Sequence, residues 1–170
     1  MSANPGQPST SSWASYLSEQ DVVRLAQSLR RINTDLMKAG SASAGQRVWY
    51  QGGEPYFDIV FELPVAQQDH SSSPNSASAE TPENLLPNWC QFTLRGKVLL
   101  WTRQPFRLHT GETEELDVPP MLAYYAASKT IRDGAHLDSD FVNLVQQICQ
   151  ARPDQPLLAQ LGQILESCKG

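Results

Sequence analysis

Residues 89–103 read WCQFTLRGKVLLWTR, and their interpretation decides the fold. Arg95-Gly96 separates two runs of strand-forming side chains, the arrangement of a hairpin closed by a tight turn. Cys90 shares a face with Phe92 and Leu94 by two-residue alternation, so it reads as core packing. Val98-Leu99-Leu100-Trp101 is apolar on both faces, as expected of an interior strand covered on both sides. Downstream, Pro105–Thr110 predicts an edge strand, the position in a sheet that tolerates proline.

Upstream, QRVWYQGGEPYFDIVFELP (46–64) predicts a second hairpin. Gln51-Gly52-Gly53-Glu54 supplies its turn, with glycine reaching positive φ at no steric cost. Phe57, Ile59, Phe61 and Leu63 fall on one face, and Tyr56, Asp58, Val60 and Glu62 on the other. That asymmetry predicts an antiparallel sheet with one buried and one wetter face. Between the two hairpins, residues 65–87 are rich in Ser, Ala, Pro and Asn and hold no apolar periodicity. They predict a mobile polar insertion.

Helices flank the strands. Ser18 is placed as an N-cap, with Asp21 as its capping-box acid and Leu17 and Val22 as a staple. Val22, Leu25, Leu29, Ile32 and Leu36 then follow at spacings of three and four, ending at Gly40. After the strands, Pro119 and Pro120 open a helix through MLAYYAASKTIRD (121–133) to a stop at Gly134. Asp138 caps another helix, with Phe141, Leu144, Val145 and Ile148 inward and Pro153 beyond its end. A last helix follows Pro156, burying Leu157, Leu158, Leu161, Ile164 and Leu165. The short Arg152–Gln155 connection makes these two an antiparallel helical hairpin. The expectation is an α+β fold: an N-terminal helix, an antiparallel four- or five-stranded sheet built from hairpins, then three C-terminal helices packing on one face. Alternating βαβ units are missing, which argues against a doubly wound sheet. Residues 1–12 read as a disordered tail and 13–170 as one domain, a size that buries a core without disulfide or metal.

The net charge of −5 and pI near 5.1 argue against a whole-molecule nucleic-acid binder. Cys90, Cys149 and Cys168 form no CxxC pair, which points to reduced thiols and a cytoplasmic setting. The first residues, MSANPGQPSTSSW, lack the basic and apolar regions of a signal peptide. No run approaches the ~18 apolar residues of a membrane span, so no membrane partner is expected.

Chemistry is sparse. The chain has no GxxxxGK[ST], GxGxxG, HExxH or GxSxG, and no cofactor, metal or catalytic residue is assigned. His70 falls in the polar insertion, and His109 and His136 belong to no motif. A Cys90–His109 nucleophile pair requires adjacent strands to juxtapose the two. Glu112, Glu114, Glu115 and Asp117 precede an expected helix start, where the macrodipole favours acids.

Charge is uneven. Residues 51–87 carry Glu54, Asp58, Glu62, Asp69, Glu80 and Glu83 without a base, whereas 88–111 carry Arg95, Lys97, Arg103 and Arg107 without an acid. Cross-strand pairing of Asp58 and Glu62 with bases on the next hairpin accounts for this pattern.

The leading functional expectation is a non-catalytic protein-binding module: an adaptor, assembly factor or chaperone-like protein, with a homodimer as one form. Its interface candidates are Met121, Tyr124 and Tyr125, on a helix apolar over a wide arc, together with Arg95, Lys97, Trp101 and Arg103. The alternative is a small enzyme or ligand-binding domain with a pocket between sheet and helices, lined by Trp49, Tyr50, Trp101 or Tyr124. A third reading is single-stranded nucleic-acid binding through the 88–111 hairpin. There Trp89, Phe92, Trp101 and Phe106 interleave with the bases.

Overall fold

The chain's computed structural model describes residues 13–33, 46–64, 86–113, 131–134 and 136–168. Its first element is a 3-10 turn, Trp13–Tyr16, followed by helix α1, Glu19–Ser28. The capping box expected at Ser18 is present. Ser18 Oγ accepts the Asp21 N–H at 3.2 Å, and the Asp21 carboxylate accepts the Ser18 N–H at 3.2 Å. Two of the donors at the helix start are thereby satisfied.

The helix is shorter than its spacing predicts. Leu29 is already extended (φ −64°, ψ 125°), and Arg30–Ile32 forms strand β1. Side chains from inside and outside the helix satisfy its last carbonyls. Ser28 Oγ donates to Leu25 O at 2.7 Å and accepts the Gly53 N–H at 3.0 Å. Arg152 Nη1 donates to Ala26 O and Leu29 O, both at 2.9 Å. Leu29 remains wholly buried, so the apolar spacing runs on past the point where the helix stops. Leu36 and Gly40 lie outside the described residues.

Among the described residues the sheet has seven antiparallel strands in sequence order, against an expectation of four or five. β2 is Arg47–Gln51 and β3 is Asp58–Glu62; β4 is Trp89–Leu94 and β5 is Lys97–Thr102. β6 is Arg107–Thr113 and β7 is Ile131–Asp133. The β4–β5 turn is the predicted two-residue one. Arg95 (φ 49°) and Gly96 (φ 77°) both lie in the left-handed region, as a type I′ hairpin turn requires.

The β2–β3 turn departs from expectation. Positive φ falls on Tyr56 (57°) and not on Gly52 or Gly53. Gly52 serves another purpose, because a Cβ there would lie 1.9 Å from Cδ1 of the Phe57 ring. Its N–H donates to Phe57 O at 2.8 Å.

Two further corrections concern β6 and β7. Strand β6 is no edge: Pro105 sits in the turn before it, after a cis Gln104–Pro105 bond, and β7 pairs along its other side. The predicted helix through residue 133 therefore does not hold at its end, where Ile131–Asp133 pairs with Gly111–Thr113. Gly134 seals that pairing through an N–H to Thr110 O bond of 3.0 Å, at a point where a Cβ would sit 2.8 Å from that oxygen. Residues 114–130, including Pro119 and Pro120, lie outside the described residues, as do 1–12 and 65–85.

Helices α2, Ser139–Gln150, and α3, Pro156–Ser167, form the expected antiparallel hairpin. Asp138 caps α2 by accepting the Phe141 N–H at 3.0 Å. Phe141, Leu144, Val145 and Ile148 are buried, as are Leu157, Leu158, Leu161 and Leu165. These residues join α1 and one face of the sheet in a single continuous core. The Phe92 and Phe141 rings meet edge to face across it, 6.1 Å between centroids.

Arg152 ties the hairpin to α1. Besides its two carbonyl contacts, it grips the Asp154 carboxylate with Nε at 2.8 Å and Nη2 at 2.9 Å. That clamp holds the Asp154 carboxyl well below the usual carboxylate range. Arg152→Met removes the donors but keeps the aliphatic stem. We expect a loss of about 2 kcal/mol in urea unfolding, with Asp154→Asn costing less.

Candidate functional site on the outer face of the sheet

Strand register divides the sheet into two faces. On the inner face, Arg31, Tyr50, Ile59, Phe92, Leu99 and Thr110 form one row. A second inner row runs Val48, Phe61, Cys90, Trp101 and Leu108. The helices reach this face: Tyr50 Oη bonds Gln155 at 3.3 Å, Thr110 Oγ1 accepts the Asp138 N–H at 2.7 Å, and Lys97 pairs with Asp138. All strand residues of the continuous core belong to it.

The outer face is built differently. Its central row is Ile32, Trp49, Val60, Gln91, Leu100 and His109, crossing β1 to β6. The first five are half-buried and His109 is exposed. A lower row holds Arg47, Glu62, Trp89, Thr102 and Arg107, and an upper row holds Arg30, Gln51, Asp58, Thr93, Val98, Gly111 and, at its β7 end, Asp133. Val98 is buried yet lies outside the continuous core. Two buried polar atoms without a hydrogen-bond partner, Trp49 Nε1 and Thr113 Oγ1, belong to this face as well.

The residues singled out from sequence scatter. Trp101, 4% exposed, and Phe92, fully buried, are inner-face core. Lys97 is also on the inner face, paired with Asp138. Arg95 grips Glu54 through two 2.7 Å bonds, which hold the Glu54 carboxyl below its ordinary range. Arg103 is exposed in the β5–β6 turn. Arg95 and Arg103 therefore mark opposite ends of β5, about 20 Å apart for a strand of this length. The described hairpin offers no joint platform of aromatics and bases, with only Phe106 strongly exposed among its four aromatics. Met121, Tyr124 and Tyr125 lie outside the described residues.

Acid–base pairing occurs, with partners other than those expected. Register sets Thr93 opposite Asp58 and Trp89 opposite Glu62. Arg95 and Arg103 are in turns, Lys97 is on the inner face and Arg107 is three strands from Glu62 on β6, so Glu62 instead meets Arg47 on β2, at 3.7 Å.

The chemistry weighed from sequence finds no assembly. Cys90 is in the core, and burial pushes its thiol well above the ordinary range. His109 is on the opposite face, because Cys90 aligns with Trp101 and Leu108 while His109 aligns with Leu100. Tyr50 and Trp101 fill the sheet–helix interior while Trp49 points outward, so these three do not line one pocket. A cleft of about 220 Å³ between the 3-10 turn, α1 and α2, bordered by Leu17, Asp140 and Gln147, is smaller than ordinary ligand sites. Among the described residues no three His, Cys, Asp or Glu side chains gather as a metal site, and no described helix is long and apolar enough to cross a membrane.

Charge separates by layer. Among the described residues, the helices with their caps and connection carry Glu19, Asp21, Asp138, Asp140, Asp154 and Glu166 against Arg24 and Arg152. The strands and their turns carry eight bases against five acids. The chain matches no family model, no curated protein and no solved structure.

Proposed function

We propose that this chain is a non-catalytic protein-binding module and that it binds through the outer face of its sheet. The observation that carries this reading is the central outer row. Ile32, Trp49, Val60 and Leu100 bring four large apolar side chains into register on the face opposite the described helices. Gln91 stands in this row between Val60 and Leu100, and an apolar row with a polar and charged border is a surface type that marks interaction sites. An adaptor, an assembly factor or a chaperone-like protein each uses such a surface, and self-association is one form of it.

The test is site-specific photo-crosslinking in the native host, with a benzophenone amino acid at position 60, 100 or 147. Positions 60 and 100 should give discrete protein adducts, and exposed Gln147 on α2 should give none. Equal adducts at all three positions, or none at 60 and 100, would remove the outer face as the binding surface.

A further inference from the structure

We infer that the turn between β5 and β6 is a docking point of its own, which seats Phe106 in an apolar pocket rimmed by carboxylates on a partner protein. The inference does not depend on the outer-face reading. Turns favour Gly, Pro, Asn, Asp and Ser, yet this one presents Phe106 at 61% exposure. An isolated apolar side chain on a surface is ordinary, but Phe106 is not isolated. Leu86 is 47% exposed, and the stretch that holds it runs beside the turn, because Asn88 O accepts the Arg103 N–H at 2.9 Å. The turn is also held in shape. Thr102 Oγ1 donates to Pro105 O at 2.8 Å, and β5 pairs with β6 as far as Thr102 and Arg107. A ring presented on a fixed turn loses little freedom when it binds.

Arg103 and Arg107 flank the phenylalanine in the chain, and both are exposed. Among the described residues neither enters an ion pair. Strands β4 and β5 and the turn hold no acid. On the rest of the sheet, Glu62 lies against Arg47, and Glu112 is about 17 Å from Arg107 along β6. Complementary potential selects partners and orients them, and arginine grips carboxylates through two parallel bonds. An aromatic anchor in a pocket with a polar rim is the arrangement of an interface hot spot. A lipid surface fits less well, because basic clusters that hold anionic headgroups carry about four or more Lys and Arg, against Arg103 and Arg107 here. Nucleic acid meets the same shortage of bases, and Phe106 is the one strongly exposed ring of this hairpin.

The experiment places p-benzoylphenylalanine at position 106 of the full-length chain in its native host, with exposed Gln163 on α3 as the control position. Position 106 should give a discrete protein adduct whose crosslinked peptide holds carboxylates beside apolar residues, and position 163 should give none. Arg103→Glu/Arg107→Glu, with an unchanged melting temperature, should cut that adduct about tenfold. Arg103→Lys/Arg107→Lys should keep most of it. An adduct indifferent to the charge reversal would overturn the acidic chemistry. No adduct at 106, an equal one at 163, or an adduct to a second copy of this chain would remove the partner docking point. The purified chain is also sedimented with phosphatidylserine vesicles and titrated with oligo-dT. Binding to either that Phe106→Ser abolishes would put that ligand in place of the protein partner. None of these outcomes bears on positions 60 and 100, where the outer-face reading stands or falls separately.

Discussion

Gly52→Ala should lower the stability of this protein by about 3 kcal/mol, the upper range for overpacking a filled core. The added methyl would stand 1.9 Å from Cδ1 and 2.4 Å from Cγ of Phe57. Neither atom is the far end of a flexible chain. Phe57 is 1% exposed and packs on Phe92 with 5.6 Å between ring centroids. Relief requires the ring to leave that packing or the loop to break the Gly52 N–H to Phe57 O bond. Gly53→Ala meets Ser28 Cβ at 3.1 Å, a contact that a small shift relieves, so its cost should be under half as large. Shrinking the ring in Gly52→Ala/Phe57→Leu should recover part of the loss. Chemical denaturation of the four proteins checks the order. A Gly52→Ala midpoint within error of the parent would contradict the close approach.

That glycine shows where sequence reasoning stops. Gly52-Gly53 correctly signals a turn, but a sequence cannot distinguish a glycine chosen for φ from one chosen for lack of a Cβ. The former role passed to Tyr56. Where a local rule dictates structure, the reading holds. The Ser18–Asp21 capping box, the Arg95-Gly96 turn, the alternation through Phe57–Leu63 and the helical hairpin around Arg152–Gln155 all form as their residues predict.

The misses are three-residue strands. Arg30–Ile32 and Ile131–Asp133 are too short to show a period of two, and each sits at the end of a helix-like pattern. What makes them strands is a neighbouring strand in need of a partner, supplied by residues about 20 positions away.

The candidate site was legible only in part. Alternation assigns Tyr50 and Trp49 to opposite faces, yet nothing local says which of the two meets the helices. The sequence alone suggests Trp49 as a pocket residue and Trp101 both as pocket lining and as an interface residue, and neither suggestion fixes a face. Val60, Leu100 and Ile32 were missed altogether as one surface. They share a row only through pairings between β1, β2, β3, β4 and β5. The apolar-on-both-faces run Val98–Trp101 was the available signal. A strand with one face in the core and leucine on the other invites the question of what that leucine touches.

The central claim is that successive residues of β5 look into a core and onto a binding surface, and paired lysine substitutions test it most directly. Leu99 is fully buried among the helices' apolar residues, and a charge placed there has no partner to offset its desolvation. Leu99→Lys should cost about 5 kcal/mol or leave the chain unfolded at 25 °C. Leu100 is half-buried on the outer face, where a lysine can lay its stem along the strip and keep its ammonium in water. Leu100→Lys should stay within about 1 kcal/mol of the parent. Equal collapse of the two variants in urea unfolding would show that the outer face is core and would contradict the account.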